Sequence, residues 1–489
     1  MLFNSFGFLF LYLPVVLAGY FVLAKLRPRW AIAWLALASL CFYGYWDWRY
    51  LPLLVASISL NYWCAARMLA SRHRRRQWLV LGLTANLGLL GYYKYANFFV
   101  AGLGTLLGAP LHGWDIVLPI GISFFTFTQI AFLVDCHRGL AGEYRFIHYA
   151  LFVSYFPHLI AGPVLHHKEM MPQFERPPGL HAADAAVGLS IFVVGLAKKV
   201  LLADPLSPLA GPVFAVQAHP QLIEAWIGAL AYTFQLYFDF SGYSDMAVGL
   251  SRVFGVQLPL NFNSPYRAGN IAEFWRRWHM SLSRFLRDYL YVPLGGNRRH
   301  RVRNLMLTML LGGLWHGAGW TFVVWGGLHG VYLVLHRGWT AWAGNGPPRW
   351  WGRGLTFLAV VAAWVVFRAP DLATAGDVLG GMAGANGLAL PHGLAAYAPY
   401  FHGGAQFSGI RWIDFGGIGV PVLALAMPLA FLAPNTQEIF RHYAPCGAAQ
   451  RRLHWSWRPR KAWSLAFSLL FLGCLFSMNR VSEFLYFQF

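Results

Sequence analysis

The sequence is poor in charged residues, and this shortage excludes whole classes of protein. Only 11% of the 489 residues are charged, whereas soluble domains carry about 25%, so polar groups cannot cover a water-facing surface. With 57% hydrophobic residues, the chain is also too apolar to be intrinsically disordered. Such a composition is typical of a polytopic membrane protein, whose outer surface faces lipid.

The sequence has few cysteines and lacks the common catalytic motifs. The five cysteines contain no CxxC pair, so the sequence predicts neither a disulfide framework nor a zinc site, and no other metal site is expected. A P-loop, a GxSxG elbow, an HExxH motif and a Rossmann glycine pattern are all missing where they would be needed. Catalysis by a nucleophilic serine or cysteine therefore has no support in the sequence.

Long apolar stretches recur along the chain. Several are close to the ~20 residues that a helix needs to cross a bilayer, and together they predict roughly eleven to thirteen transmembrane helices. The first stretch, Phe6–Leu26, has no basic leading segment and no small-residue cleavage site, so we interpret it as a retained span. The predicted fold is an all-α polytopic membrane protein with one membrane domain, residues 1–489.

The basic residues outnumber the acidic ones, 38 to 18, and they are clustered between apolar stretches. The clusters are Arg72–Arg76, Arg298–Arg303 and Arg451–Lys461. This arrangement follows the positive-inside rule and predicts cytoplasmic loops, with both termini on the outer side. We therefore expect the bilayer, and no nucleic acid, as the partner of the basic excess.

Two segments break the apolar pattern. Asn261–Trp278 is polar, basic and aromatic, so it is expected to form amphipathic helices at the interface or re-entrant segments buried in protein. Its arginines Arg276 and Arg277 can then face water or an anionic ligand. Ala369–Phe415, rich in glycine, alanine and proline, is expected to form one long outer loop.

The strongest chemical signal is Leu311–Gly330, which places His316 and His329 in an apolar stretch rich in glycine and tryptophan. An ionisable residue within a membrane segment suggests function by default. The alternative is a structural role, in which a backbone carbonyl holds a neutral histidine. The functional and structural interpretations have equal weight for His316, whereas the structural one is favoured for His329. The glycines around His316 allow close helix approach or a backbone that lines a cavity.

Other polar side chains lie at the ends of apolar stretches. Asp239 and Asp245 lie at the end of the stretch Leu222–Phe240, where they can bind a cation or pair with the arginines, and where Asp245 can cap the next helix. His158 is expected to be structural, and His279 follows Trp278 directly. A buried imidazole favours its neutral form and can accept a proton. It can therefore act as the base when a hydroxyl attacks an activated acyl group.

At these residues the sequence resembles the membrane-bound O-acyltransferases, and it is most similar to the branch that acetylates alginate in bacteria. Family-like strings run in the expected order through most of the chain. They are Leu118–Phe127, Phe156–Pro163, Tyr237–Leu250, Asn261–Arg298, Gly312–Gly330, Trp364–Ala369 and the terminal Phe484–Phe489. The motif core covers residues 118–369, and residues 417–489 supply the C-terminal spans.

The resemblance implies an acyl transfer in which His316 is the essential histidine and His279 the second polar residue of the active centre. Other branches carry Asn or Asp at the position of His279. The resemblance also implies a central channel through the membrane. The acyl donor, acetyl-CoA or an acetyl-carrier protein, would come from the cytoplasm, and Arg276 and Arg277 would lie near the donor entrance.

The leading hypothesis is therefore an inner-membrane O-acetyltransferase for a secreted or envelope polysaccharide. An alginate-like exopolysaccharide is the acceptor that this hypothesis favours. His316 would act as general base, no bound cofactor is expected, and periplasmic partner proteins would complete delivery to the sugar hydroxyls. The alternative is a polytopic transporter or flippase whose histidines relay protons. It would require inverted repeats, which the sequence does not show.

Overall fold

The computed structural model of the protein is almost entirely helical. It describes residues 1–489 except 72, 110, 112, 143, 161, 176–178, 180, 345–348, 401–404, 444–445, 447–455, 479–483 and 486–489. The predictions for Arg72, for 451–455 of the last basic cluster and for 486–489 of the terminal string lie outside the described residues. Within the described part, the strands are β1 (Leu388–Ala389) and β2 (Ala405–Gln406), which pair in parallel.

The α-helices are numbered along the chain. They are α1 (Leu13–Leu26), α2 (Pro28–Trp46), α3 (Leu51–Ala70), α4 (Arg75–Leu90), α5 (Ala96–Leu107), α6 (Ile122–His137), α7 (Phe146–Ser154), α8 (Phe156–Leu159), α9 (His167–Phe174), α10 (Ala182–Ala197), α11 (Ser207–Ala210), α12 (Leu222–Val253), α13 (Ile271–Trp275), α14 (Met280–Leu286), α15 (Arg301–His316), α16 (Trp320–Ala343), α17 (Arg349–Arg368), α18 (Leu372–Met382), α19 (Gly419–Phe431), α20 (Thr436–Ile439) and α21 (Lys461–Ser477). Short π-helical segments adjoin several of them, at Phe8–Tyr12, Gly91–Tyr95, Lys198–Ala203 and Arg287–Tyr291.

Several helical stretches are suited to the bilayer. By length and composition, four stretches of the described residues can cross a membrane: Phe8–Leu26, Trp48–Ala70, Ala182–Phe214 and Trp350–Arg368. Shorter apolar helices are Ile122–His137, Gly419–Phe431 and Lys461–Ser477. The predicted class, an all-α polytopic membrane protein, is confirmed. The count of eleven to thirteen crossings and the central channel stay predictions.

The chain divides into two compact units. Unit 1 contains Met1–Ala197, Gly242–Asn261 and Thr436–Gln488, and unit 2 contains Lys198–Ser241 and Phe262–Asn435. The boundary passes through helix α12, which contributes residues to both. Whether the chain functions as the predicted single domain, residues 1–489, stays a prediction.

Helix α12 is longer than the span predicted for this part of the sequence, and its additional residues from Gly242 onward belong to unit 1. The predicted stretch stopped at Phe240, but the helix runs on to Val253. Its glycines are needed for packing, because an added Cβ at Gly249 would lie 2.5 Å from the carbonyl oxygen of Gly188. A Cβ at Gly195 would likewise lie 2.5 Å from the carbonyl oxygen of Gly242. Small residues thus let the α10 and α12 backbones approach closely, as in membrane helix pairs.

In unit 2, helices α15 and α16 form a hairpin whose backbones almost touch. A Cβ added at Gly313 would lie 2.2 Å from the carbonyl oxygen of Phe322, and one added at Gly326 would lie 2.2 Å from that of Met309. Of the two roles proposed for the glycines of this stretch, close helix approach is therefore the one that Gly313 fulfils.

The predicted long loop Ala369–Phe415 is only partly irregular. It contains helix α18, which begins after Asp371, whose carboxylate accepts a hydrogen bond of 2.7 Å from the N–H of Thr374. An aspartate in this position is a common N-cap because it satisfies an amide that has no partner within the helix. The high alanine and glycine content concealed this start signal.

Candidate active site

His316 is the last residue of helix α15. The backbone then becomes extended through Gly317 and Gly319, and helix α16 begins at Trp320. Only glycine fits at position 317, because an added Cβ would lie 2.1 Å from the ring of Phe322.

Aromatic rings surround the His316 imidazole, which is 8% exposed. The ring of Trp325 lies 5.1 Å away at 89° and that of Phe367 lies 5.5 Å away at 78°, so both meet the imidazole edge to face. The neighbouring Trp315 lies at 4.9 Å. These contacts give His316 a largely apolar environment, as the sequence around it predicts.

His279 lies close to His316. Their ring centroids are 6.4 Å apart, although 36 residues separate them in the chain. His279 is 1% exposed and precedes helix α14 in a left-handed conformation with φ +43°. Its ring meets that of Phe240 edge to face at 4.8 Å. The structure thus brings together the two histidines that the resemblance assigns to the active centre.

His329 has the contacts of a packing residue. The indole N–H of Trp275 donates a hydrogen bond to its Nδ1 at 3.3 Å. The imidazole also stacks on Phe274, with centroids 6.1 Å apart and planes within 6°. The side chain is completely buried. These contacts agree with the structural role favoured for His329.

Trp325 was not identified from the sequence as a site residue. Its buried ring contacts His316 at 5.1 Å, His329 at 4.9 Å and Phe367 at 5.1 Å, and it stacks on Trp364 at 5.6 Å. The ring therefore lies between the two histidines of the hairpin. A signal was present: Trp325 follows His316 by nine residues and precedes His329 by four, and a four-residue spacing places side chains on one helix face.

The two arginines of the predicted donor surface have different environments. Arg277 donates to the Glu273 carboxylate at 2.8 and 3.0 Å and to the carbonyl oxygen of Asn263 at 3.0 Å. Partial burial raises the pKa of Glu273. The N–H of Gly269 and the Arg277 guanidinium outweigh this effect and hold that pKa below its usual value. Arg276 is exposed.

The surrounding segment Asn261–Trp278 is packed into protein. Tyr266, Phe274 and Trp278 are buried, and helix α13 is only five residues long. Its N-cap, Asn270, accepts a hydrogen bond of 2.8 Å from the N–H of Glu273. Of the two arrangements expected for Asn261–Trp278, the structure agrees better with a segment buried in protein than with an amphipathic helix on a lipid surface.

The remaining polar candidates serve packing. Asp239 forms a 2.7 Å ion pair with the buried Lys199, which also contacts Asp204 at 2.8 Å. Asp245 lies inside helix α12, so it does not cap a following helix; it accepts a hydrogen bond of 2.6 Å from Thr436. His158 lies 3.0 Å from the carbonyl oxygen of Phe152, which supports its expected structural role.

Comparison with known proteins decides the family. Residues 81–375 match the membrane-bound O-acyltransferase family. The chain belongs to this family. It is an O-acyltransferase and a multi-pass membrane protein, so the predicted family and enzyme class are confirmed and the transporter alternative is not favoured. The matched residues include both His279 and His316, whose individual roles stay predictions.

Several relatives with assigned names cover most or all of this acyltransferase, and others cover about half of it. It is 45% identical to the peptidoglycan O-acetyltransferase of Helicobacter pylori, over 80% of this chain and 81% of the relative. It is 40% identical to the probable alginate O-acetylase AlgI of Pseudomonas aeruginosa, over 100% of both chains. A more distant relative is the teichoic acid D-alanyltransferase of Bacillus subtilis, 27% identical over 50% of this chain.

Proposed function

We propose that this enzyme O-acetylates an envelope or secreted polysaccharide, with His316 as general base. The acceptor that we propose is an alginate-like exopolysaccharide. The observation that carries the proposal is the buried pair His316 and His279, 6.4 Å apart in an aromatic enclosure. The relatives named for peptidoglycan and alginate O-acetylation support the reaction class.

The chemistry requires a base because a hydroxyl is a poor nucleophile near neutral pH. His316 takes the hydroxyl proton as the oxygen attacks the carbonyl carbon of an acetyl thioester. When the tetrahedral intermediate collapses, the imidazolium returns that proton to the departing sulfur. The products are an acetyl ester and a free thiol, and the histidine is neutral again.

His279 is suited to orient the reacting oxygen. The ring centroids are 6.4 Å apart, so a position beside the His316 ring is also close to the His279 ring. The acceptor hydroxyl, or the oxygen of the intermediate, would occupy that position.

Donor, partners and orientation belong to the same proposal. Acetyl-CoA or an acetyl-carrier protein would deliver the acetyl group from the cytoplasm, at a surface that includes Arg276. Arg277 is held by Glu273 and Asn263 and would shape that surface. The protein would reside in the bacterial inner membrane with periplasmic termini, and periplasmic acetyltransferase proteins would complete delivery to the polymer.

The proposal is tested by measuring polymer acetylation in a host that lacks its own enzyme. The wild-type chain should restore acetyl esters on the polymer, and His316→Ala, present at equal abundance in the membrane, should not. His73→Ala changes an exposed histidine and should behave as wild type. Full acetylation by His316→Ala would overturn the assignment of the base.

The acceptor requires a separate measurement. Exopolysaccharide and peptidoglycan from the same cells should be purified and their ester-bound acetate released by mild alkali. We expect the acetate that depends on this enzyme in the exopolysaccharide fraction. Acetate confined to peptidoglycan would overturn the alginate-like acceptor while leaving the acyltransferase intact.

A further inference from the structure

Unit 1 contains a cluster of metal-ligand side chains that no part of the proposed reaction uses. Both His166 Nε2 and His167 Nε2 contact the same oxygen of Asp135, Oδ2, at 3.0 and 2.9 Å. All three ligand atoms lie within 4.8 Å of one another. The side chains of Asp135 and His167 are 3% and 1% exposed, so these two members of the cluster are almost entirely removed from solvent.

The backbone explains why two adjacent histidines converge on one atom. His166 is extended, with φ −108° and ψ 132°, and it is the residue before helix α9, which begins at His167. The change from extended to helical backbone turns both side chains toward Asp135, near the end of helix α6. Consecutive side chains of a regular strand would point to opposite faces instead.

The donor set matches the preferences of a zinc-type ion. Two imidazole nitrogens and one carboxylate oxygen are ligands used by Zn²⁺, commonly with water in the fourth position. Bonds of about 2.0–2.2 Å place the ligands of a tetrahedral site about 3.3 Å apart. The two histidine–aspartate contacts of 2.9 and 3.0 Å therefore need to widen by a few tenths of an ångström, and the two imidazole nitrogens, which lie within 4.8 Å of each other, need to come to a similar separation.

An ion also needs access and the correct proton positions. The side chain of His166 is 23% exposed, so the cluster is reachable from that side. A metal on Nε2 leaves each imidazole proton on Nδ1. The backbone N–H of Lys168 lies 3.4 Å from His166 Nδ1, a long contact that would be lost on metal binding.

We propose that Asp135, His166 and His167 form a binding site for a divalent zinc-type cation in unit 1. The ion joins the end of α6 to the start of α9 and keeps a water in its fourth position. It takes no part in the His316 chemistry. This site differs from the expectation of no metal site, because the sequence has no cysteine pair and no HExxH spacing, and Asp135 lies 31 residues before His166.

The test uses the full-length protein purified in detergent without chelator. Elemental analysis should find about one zinc per chain. After the metal has been removed and replaced by Co²⁺, a visible absorption band should appear in the wild type and in His73→Ala, which retains the cluster. Asp135→Asn and His167→Gln should lose both signals. Zinc should raise the Tm of the wild type by about 5 °C and should leave the Tm of both cluster variants unchanged.

Two results would overturn the proposal. One is purified wild type without zinc that shows no Co²⁺ band and no thermal shift, because the cluster would then be a hydrogen-bond network only. The other is equal metal content in wild type, Asp135→Asn and His167→Gln, because the metal would then bind elsewhere. Neither result bears on His316, since polymer acetylation is not the readout.

Discussion

Two histidine pairs in the described part of the chain lie in different chemical surroundings. His316 and His279 of unit 2 face the edges of aromatic rings, whereas His166 and His167 of unit 1 face one carboxylate oxygen. The aromatic rings give His316 and His279 largely apolar surroundings. A carboxylate fixes the imidazole and adds a third ligand atom. We propose that the same residue type serves proton transfer in one unit and metal binding in the other.

The largest expected effect comes from disturbing the hairpin that carries His316. Gly313→Ala places a methyl group 2.2 Å from the carbonyl oxygen of Phe322 and should force α15 and α16 apart. Overpacking of this kind costs typically about 1–3 kcal/mol or more, so we expect little folded protein and no acetylation. Gly327→Ala is the matched control, because its nearest contact is the end of the Leu310 side chain at 3.4 Å. Abundance and Tm measure the difference, and equal values for the two variants would contradict the packing argument.

His329→Ala should sharpen the distinction between a packing histidine and a catalytic one. The variant leaves the Trp275 indole N–H without its acceptor and opens a cavity beside Phe274. We expect a loss of about 2–4 kcal/mol in stability. Acetylation per folded molecule should stay within threefold of wild type. A stable variant with greatly reduced turnover would instead place His329 in the chemistry.

His279 can be tested with three substitutions that separate its side chain from its backbone. Asn tolerates the left-handed conformation, Gly adopts it freely, and Ala is strained by about 1–2 kcal/mol. If His279 orients the reacting oxygen, His279→Asn should keep more activity than His279→Gly, although both should fold. Equal activity of the two variants would leave only a backbone role for this position.

The smallest effects concern the arginines of the buried segment. Arg277→Ala removes the partner of Glu273 and of the Asn263 carbonyl, so we expect about 1–2 kcal/mol lower stability. Arg276→Ala changes an exposed side chain and should alter stability by less than about 0.5 kcal/mol. Weaker acetyl-donor binding by Arg276→Ala alone would support the donor surface. Unchanged donor affinity would leave Arg276 with a lipid-headgroup role.

The sequence predicts the class of the fold better than the bounds of its helices. Low charge and repeated apolar stretches are properties of composition, and they led directly to an all-α membrane protein. The continuation of α12 beyond Phe240 was missed because its glycines are unfavourable in an isolated helix. Their value depends on Gly188 and Gly195 of α10, which only the packed structure reveals. Helix α18 was missed because its composition resembles that of a loop.

Residues of the candidate site can be predicted when a single residue is unusual for its sequence context. They cannot be predicted when the site depends on contacts between residues that are distant in the sequence. His316 is conspicuous as an imidazole in an apolar stretch. His279 was assigned through the family resemblance, since no spacing rule joins it to His316. Trp325 and Lys199 were missed, although a lysine inside the apolar stretch that leads to Ala203 is itself unusual. Asp135 and His166 meet only through tertiary packing, so sequence spacing gives no indication of their cluster.

The central claim is that His316 supplies the base for acyl transfer, and the most direct test is the transfer rate itself. Membranes containing equal amounts of wild type or His316→Ala, together with the periplasmic proteins of the same host, should be supplied with labelled acetyl donor and acceptor polymer, and donor binding should be measured in parallel. Loss of a general base typically reduces the rate about 10²–10⁴-fold. The account predicts a reduction in that range with unchanged donor binding. A His316→Ala rate within tenfold of wild type would contradict it.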